Sequence, residues 1–174
     1  LYDTNRLAEA EPLMRRALKI TEHSYGSEHP QVATGLNNLA GLLQVTNRHP
    51  EAEPLIRRAL KITERSYGPE HPQVATRLNN LAQLLYDTNR YTEAEPLMRR
   101  ALKITELNYG PEHPDVATGL NNLAALFYDT NRHTEAEPLI RRALMIAERS
   151  YGPQHPGVAT GLNNLAGLLQ ATNR

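Results

Sequence analysis

Val74-Ala75-Thr76-Arg77-Leu78-Asn79-Asn80-Leu81-Ala82-Gln83-Leu84-Leu85 recurs almost unchanged from Val32, Val116 and Val158, at a constant step of 42 residues. The segments between copies repeat as closely: Glu-Ala-Glu-Pro-Leu begins at Glu9, Glu51, Glu93 and Glu135, and Arg-Arg-Ala-Leu at Arg15, Arg57, Arg99 and Arg141. A fixed period of this length marks one supersecondary unit copied in tandem. The units span 7–48, 49–90, 91–132 and 133–174, with 1–6 reading as the tail of a preceding helix.

Each period reads as two helices. In the first, the A helix, Val32, Leu36, Leu39 and Leu43 fall at i, i+4, i+7 and i+11, and Ala33 and Ala40 widen the same stripe. Pro30 suits its first turn, and Asn47 suits a left-handed residue at its end. The second, the B helix, has an apolar face of Ala94, Leu97, Met98, Ala101, Leu102 and Ile104, and Tyr109-Gly110-Pro111 stops it. Thr92 with Glu95, and Thr134 with Glu137, have the form of a capping box, which would put Pro96 and Pro138 in the first turn. Glu95 and Arg99 are spaced for an i,i+4 ion pair. With short links and no strand pattern, the fold class is all-α, an α-solenoid of antiparallel helix pairs.

Composition narrows the function. Lys+Arg and Asp+Glu balance at 19 each, so no basic surface for nucleic acid or acidic lipid is expected. No apolar run approaches the roughly 18 residues of a membrane span. The absence of cysteine excludes disulfides, thiolate metal sites and a cysteine nucleophile, and a cytoplasmic location is expected. His29, His71, His113 and His155 recur once per period, about 10 Å apart at ordinary helix spacing, too far to share an ion held at about 2 Å. They read as devices that start the A helix. Glu9 and Glu11 repeat in every copy, whereas a catalytic pair would be expected once, in a cleft. Arg15-Arg16 follows glutamates on the same helix and reads as a paired, solvated face. No nucleophile–base constellation and no phosphate loop is present. No catalysis and no cofactor are expected.

The chain resembles the tetratricopeptide repeat family, in the long-period version found in kinesin light chains. Leu78-Asn79-Asn80-Leu81-Ala82, Leu85, Ala94, Met98, Ala101 and the joining Gly-Pro-Glu-His-Pro carry the resemblance, which covers essentially the whole chain. Two features depart from the common pattern. Leu36, Leu78, Leu120 and Leu162 stand where an aromatic is usual, and Glu22, Glu64, Glu106 and Glu148 replace the Pro that closes the B helix, allowing it to run further. The resemblance implies a right-handed superhelix with A helices lining a concave groove and B helices outside. It implies a protein- or peptide-binding scaffold, in which Asn37, Asn79, Asn121 and Asn163 match asparagines that hold cargo peptides.

Differences among the copies point to the same face. Gly41/Gln83/Ala125/Gly167, Gln44/Tyr86/Tyr128/Gln170 and Val45/Asp87/Asp129/Ala171 vary on a stripe opposite the leucines. It includes Thr34, Thr76, Thr118 and Thr160 with the asparagines. Here Asn37 and its equivalents would grip the backbone of an extended ligand, since an amide both donates and accepts. Gln44, Gln83, Tyr86, Tyr128 and Gln170 would set preference. Alternatively, one asparagine of each pair forms a structural ladder and the variable row is solvated. The array could also be a sensor or self-association module beside a nucleotide-hydrolysing or effector domain, or a structural spacer. The chain starts and stops within a repeat, so a longer array with missing flanking sequence is expected. Its complementary ends suggest head-to-tail association.

Overall fold

The computed structural model describes residues 4–172, with side chains from Arg6 onward. Among these residues there are eight α-helices and no strand. The chain divides into two compact units, at Thr88 and Asn89. The first holds α1 (Thr4–Tyr25), α2 (Pro30–Val45), α3 (His49–Tyr67) and α4 (Pro72–Asp87). The second holds α5 (Tyr91–Tyr109), α6 (Pro114–Asp129), α7 (His133–Tyr151) and α8 (Pro156–Ala171). Odd-numbered helices are the B helices and even-numbered ones the A helices, alternating with links of a few residues that turn each back on the last.

The leucine stripe forms the core. In the first unit Val32, Ala33 and Leu36 of α2 pack with Ala59 and Ile62 of α3, and Leu18 of α1 and Leu55 of α3 close the cluster. In the second, Val116, Ala117 and Leu120 of α6 pack with Ala143 and Ile146 of α7, beside Leu102 and Leu139. Alanines at these contacts let the helix axes approach closely. Gly35 serves the same end: a Cβ there would lie 3.2 Å from Leu18 Cδ1, and one at Gly119 3.2 Å from Leu102 Cδ1. Arg77 occupies the equivalent position of α4. Its Nε is buried without a hydrogen-bond partner, and its pKa is lowered by burial, an effect that Tyr67 opposes. At the two extremes of the chain the stripe is less covered, with Leu13 66% and Leu162 50% exposed.

Helix boundaries follow from backbone chemistry. Every A helix has Pro at its start and is capped by the preceding histidine. His29, His71, His113 and His155 Nδ1 accept from the N–H groups of Gln31, Gln73, Asp115 and Gly157 at 3.1–3.2 Å. Each imidazole also stacks on the tyrosine that ends the preceding B helix, as Tyr67 does on His71 with centroids 4.7 Å apart. Asn47, Asn89 and Asn131 take φ of 58° and turn the chain into the next B helix. The glycines closing the B helices adopt φ 89°, ψ 158° at Gly68 and near-identical values at Gly110 and Gly152. This is a region essentially closed to other residues.

Three boundary expectations are corrected. The B helices begin at His49, Tyr91 and His133 with an arginine at the N-cap and no side-chain cap hydrogen bond. Thr92 and Thr134 thus lie one residue inside the helix, and the capping box does not form. Pro96 and Pro138 lie in the helix interior, where each removes an i→i−4 bond instead of occupying a free first-turn position. Thr4–Arg6 are continuous with α1 and do not end a separate helix, while Leu1–Asp3 lie outside the described residues. At the internal junction Arg48 N–H reaches back to the carbonyl of Leu43. The corresponding partner of Arg6 would be Leu1, which is not among the described residues.

In place of a capping box, the N-cap arginines clamp consecutive B helices. Arg48 donates through Nε and Nη2 to both oxygens of Glu51 at 2.7 and 2.8 Å, and through Nη1 to Glu11 of α1. Arg132 treats Glu135 and Glu95 of α5 alike. Arg99 completes its cluster as the expected i,i+4 partner of Glu95, and Arg15 pairs with Glu11 in the same way. Glu11 is held below its usual carboxylate range by the Arg48 hydrogen bond and then by Arg15, and Glu95 by Arg132 and then Arg99. These arginines and glutamates thus hold α1 to α3 and α5 to α7.

Candidate functional site

The A helices carry few charges. α2 and α8 have none, and α6 has only Asp115 and Asp129. Their apolar stripe is spent on packing, and their polar stripe carries the candidate residues. In the second unit this stripe forms a pocket of about 240 Å³ between α6 and α8. Asn121, Ala125, Tyr128 and Asp129 line it from α6, and Asn163, Asn164 and Gly167 from α8. Buried Ala124 and Ile140 contribute an apolar floor.

Four features set its chemistry. Asn121 Oδ1 is buried without a hydrogen-bond partner, which leaves an acceptor unused at a cost of about 1–3 kcal/mol. Tyr128 is 41% exposed and held edge-on by His133, with centroids 5.3 Å apart. Asp129 stands exposed at the C-terminal end of α6. Gly167 supplies room, since a Cβ placed on it meets nothing within 4 Å.

The candidate residues of the first unit behave differently. Asn37 Oδ1 accepts from Asn80 Nδ2 at 2.7 Å, a bond that ties α2 to α4. Asn37 is thus partly structural, and Asn80, the second of its pair, is the donor. Asn79 is half-buried, and Asn163 in the second unit is exposed. Gln44 Nε2 is buried without a partner, while Gln83 Nε2 donates to Asp87 at 2.7 Å. Tyr86 is half-buried and Gln170 exposed. Thr34, Thr76 and Thr160 turn their hydroxyls back on the carbonyls of Pro30, Pro72 and Pro156, and Thr118 is exposed. Back-bonded threonines have less to offer a ligand than the asparagines one turn on.

Not read from the repeat were Ile140, which reaches the pocket from α7, and the role of His133 beside Tyr128. Both lie in the 133–174 copy, and a comparison of equivalent positions along one helix does not bring them next to α6. Among the described residues no group of three His, Asp or Glu side chains converges to hold a metal ion. Nor, among the described residues, is any helix long and apolar enough to cross a membrane.

Comparison with known proteins matches this architecture. The chain is similar to the crystal structure of BtubC (BKLC) from P. vanneervenii, with a TM-score of 0.86 and 26% identity over 97% of this chain and 67% of that one. It is similar in fold to a Podosopora anserina putative kinesin light chain with nearly identical TPR-like repeats. There the TM-score is 0.84 and the identity 23%, over 98% of this chain and 81% of that one. It also shares its fold with the apo form of RapI, at a TM-score of 0.81 and 21% identity, over 99% of this chain and 61% of that one. No curated protein matches the sequence. One family model, described as tetratricopeptide repeat, matches residues 31–106, 78–144 and 115–174, and a second of the same description matches residues 1–31. The eight paired helices, the 42-residue step and these matches together place the chain in the tetratricopeptide repeat family, whose members are generally protein-binding scaffolds.

Proposed function

We propose that the chain binds an extended protein segment along the polar stripe of its A helices, with the pocket between α6 and α8 as the principal seat. The observation that carries this reading is the coincidence of that pocket with the positions that vary between copies, Ala125, Tyr128, Asp129 and Gly167. The amide side chains of Asn121, Asn163 and Asn164 that line it are of the type that both donates to and accepts from a peptide backbone. The opposite surface offers little of this kind, because its arginines and glutamates are paired with one another. In the first unit the Asn37–Asn80 bond favours the ladder reading instead, so α2 and α4 contribute framework and the second unit selectivity.

The test is a peptide-library selection run in parallel on the parent chain and on Gly167→Phe. A Cβ at this position meets nothing within 4 Å, so the phenyl group is built out into the open space of the pocket. Helical circular dichroism should be retained and enrichment of the parent's peptides lost. If both proteins enrich the same peptides, the pocket is not where they bind.

A further inference from the structure

We propose that copies of this chain associate head to tail, α1 of one docking on the leucine stripe of α8 of the next. Within the chain such a stripe is closed by a B helix. Leu36 packs with Ala59 and Ile62 of α3, Leu120 with Ala143 and Ile146 of α7, and both leucines are buried. The equivalent Leu162 of α8 is 50% exposed, and Ala166 one turn on is exposed where Ala40 and Ala124 are buried. The residues of α1 that match Ala59 and Ile62 are Ala17 and Ile20. Both are exposed, although Ile62, Ile104 and Ile146 are all buried. Each face therefore carries the side chains that cover its counterpart inside the same molecule.

The charges agree with this occupant. Arg58 of α3 bridges to Glu22 of α1, and Arg142 of α7 to Glu106 of α5, each at 2.7 Å. Arg16 of α1 and Glu148 of α7 hold the matching positions, and both are exposed. Neither has an ion-pair partner among the described residues. Setting α1 of one copy on α8 of the next brings Arg16 to Glu148 in the register that already joins α3 to α1. An unrelated apolar helix would have to match the stripe and the charge at once. The contact joins unlike faces, so a dimer keeps one of each free and association continues past it. It uses the apolar stripe of α8 and not the polar stripe that lines the pocket, so it stands or fails independently of peptide binding.

Sedimentation equilibrium over a range of concentrations tests this. The parent's average mass should rise with concentration and pass that of a dimer. Ile20→Lys and Leu162→Lys each place a charge on an exposed position, so both should keep their helical circular dichroism and weaken self-association by at least about tenfold. Mixed together, they should form a one-to-one dimer that grows no further, since the first retains an intact α8 face and the second an intact α1 face. Arg16→Glu should weaken the parent's association by about tenfold through repulsion from Glu148, and adding Glu148→Arg in the same chain should restore it. A parent that stays monomeric, a mixture of the two lysine variants that stays monomeric, or association that neither lysine variant weakens would overturn the proposal.

Discussion

Two residues per repeat set the turn between B and A helices, and both make sharp demands. His71 caps α4 through Nδ1 while its ring lies on Tyr67, so one side chain closes the link from two sides. His71→Ala should cost about 1 kcal/mol, the usual value of an N-cap, while His71→Asn should recover most of the loss. Urea unfolding of the three proteins measures this, and equal midpoints would remove the cap from the account. Gly68, at φ 89° and ψ 158°, leaves no room for a Cβ conformationally although space around it is open. Gly68→Ala should therefore destabilise by about 1–3 kcal/mol, whereas Asn47→Gly at φ 58° should change little. The glycine and proline signals were legible in the sequence. The histidine was legible as a helix-starting device, but the bond through Nδ1 and the stacking on tyrosine were not, because the sequence does not give the direction of its ring.

At the scale of the helix, the leucine stripe and the Glu95–Arg99 spacing declared both helices and their faces. The start of the B helix misled, because Thr92-x-x-Glu95 satisfies a local rule that the tertiary structure overrides. Arg48 and Arg132 meet glutamates 37 residues back, and holding that charge pairing begins the helix earlier. The signal was present in an arginine recurring at every junction, but it becomes readable only once consecutive B helices lie side by side. Arg77 is the opposite case, an arginine where its copies have glycine and with its Nε buried unpaired. Arg77→Met keeps the length and removes the stranded donor, so stability should rise by about 1 kcal/mol. A fall in the urea midpoint would mean that Arg77 has a stabilising role the contacts do not reveal.

The whole chain should feel its clamps in acid. Glu11, Glu51, Glu95 and Glu135 all titrate below their usual range, with a hydrogen bond from Arg48 or Arg132 as the largest cause. A depressed folded pKa gives stability that is complete above the unfolded value, about 4.3 for Glu, and that is lost as pH falls through the folded values. The urea midpoint should be flat from pH 7 to 5 as far as these groups are concerned, then drop below that value. Arg48→Met with Arg132→Met should flatten the drop, and an unchanged acid limb would contradict the clamp. Function was less legible than fold at this scale. The repeat exposed Asn121, Tyr128 and the variable row, but the closure of a pocket over Ile140 depends on how three helices meet. That Asn37 and Asn121 differ, one bonded and one not, also has no trace in sequence, since both sit in the same Leu-Asn-Asn-Leu string.

The claim that the A-helix stripe is the binding face is tested most directly by amide shift mapping of the labelled chain with an enriched peptide. Perturbations are expected at Asn121, Ala125, Tyr128 and Gly167 of α6 and α8, with the B helices α5 and α7 unmoved on their outer faces. Perturbations confined to the arginine- and glutamate-bearing surface of α5 and α7 would contradict it.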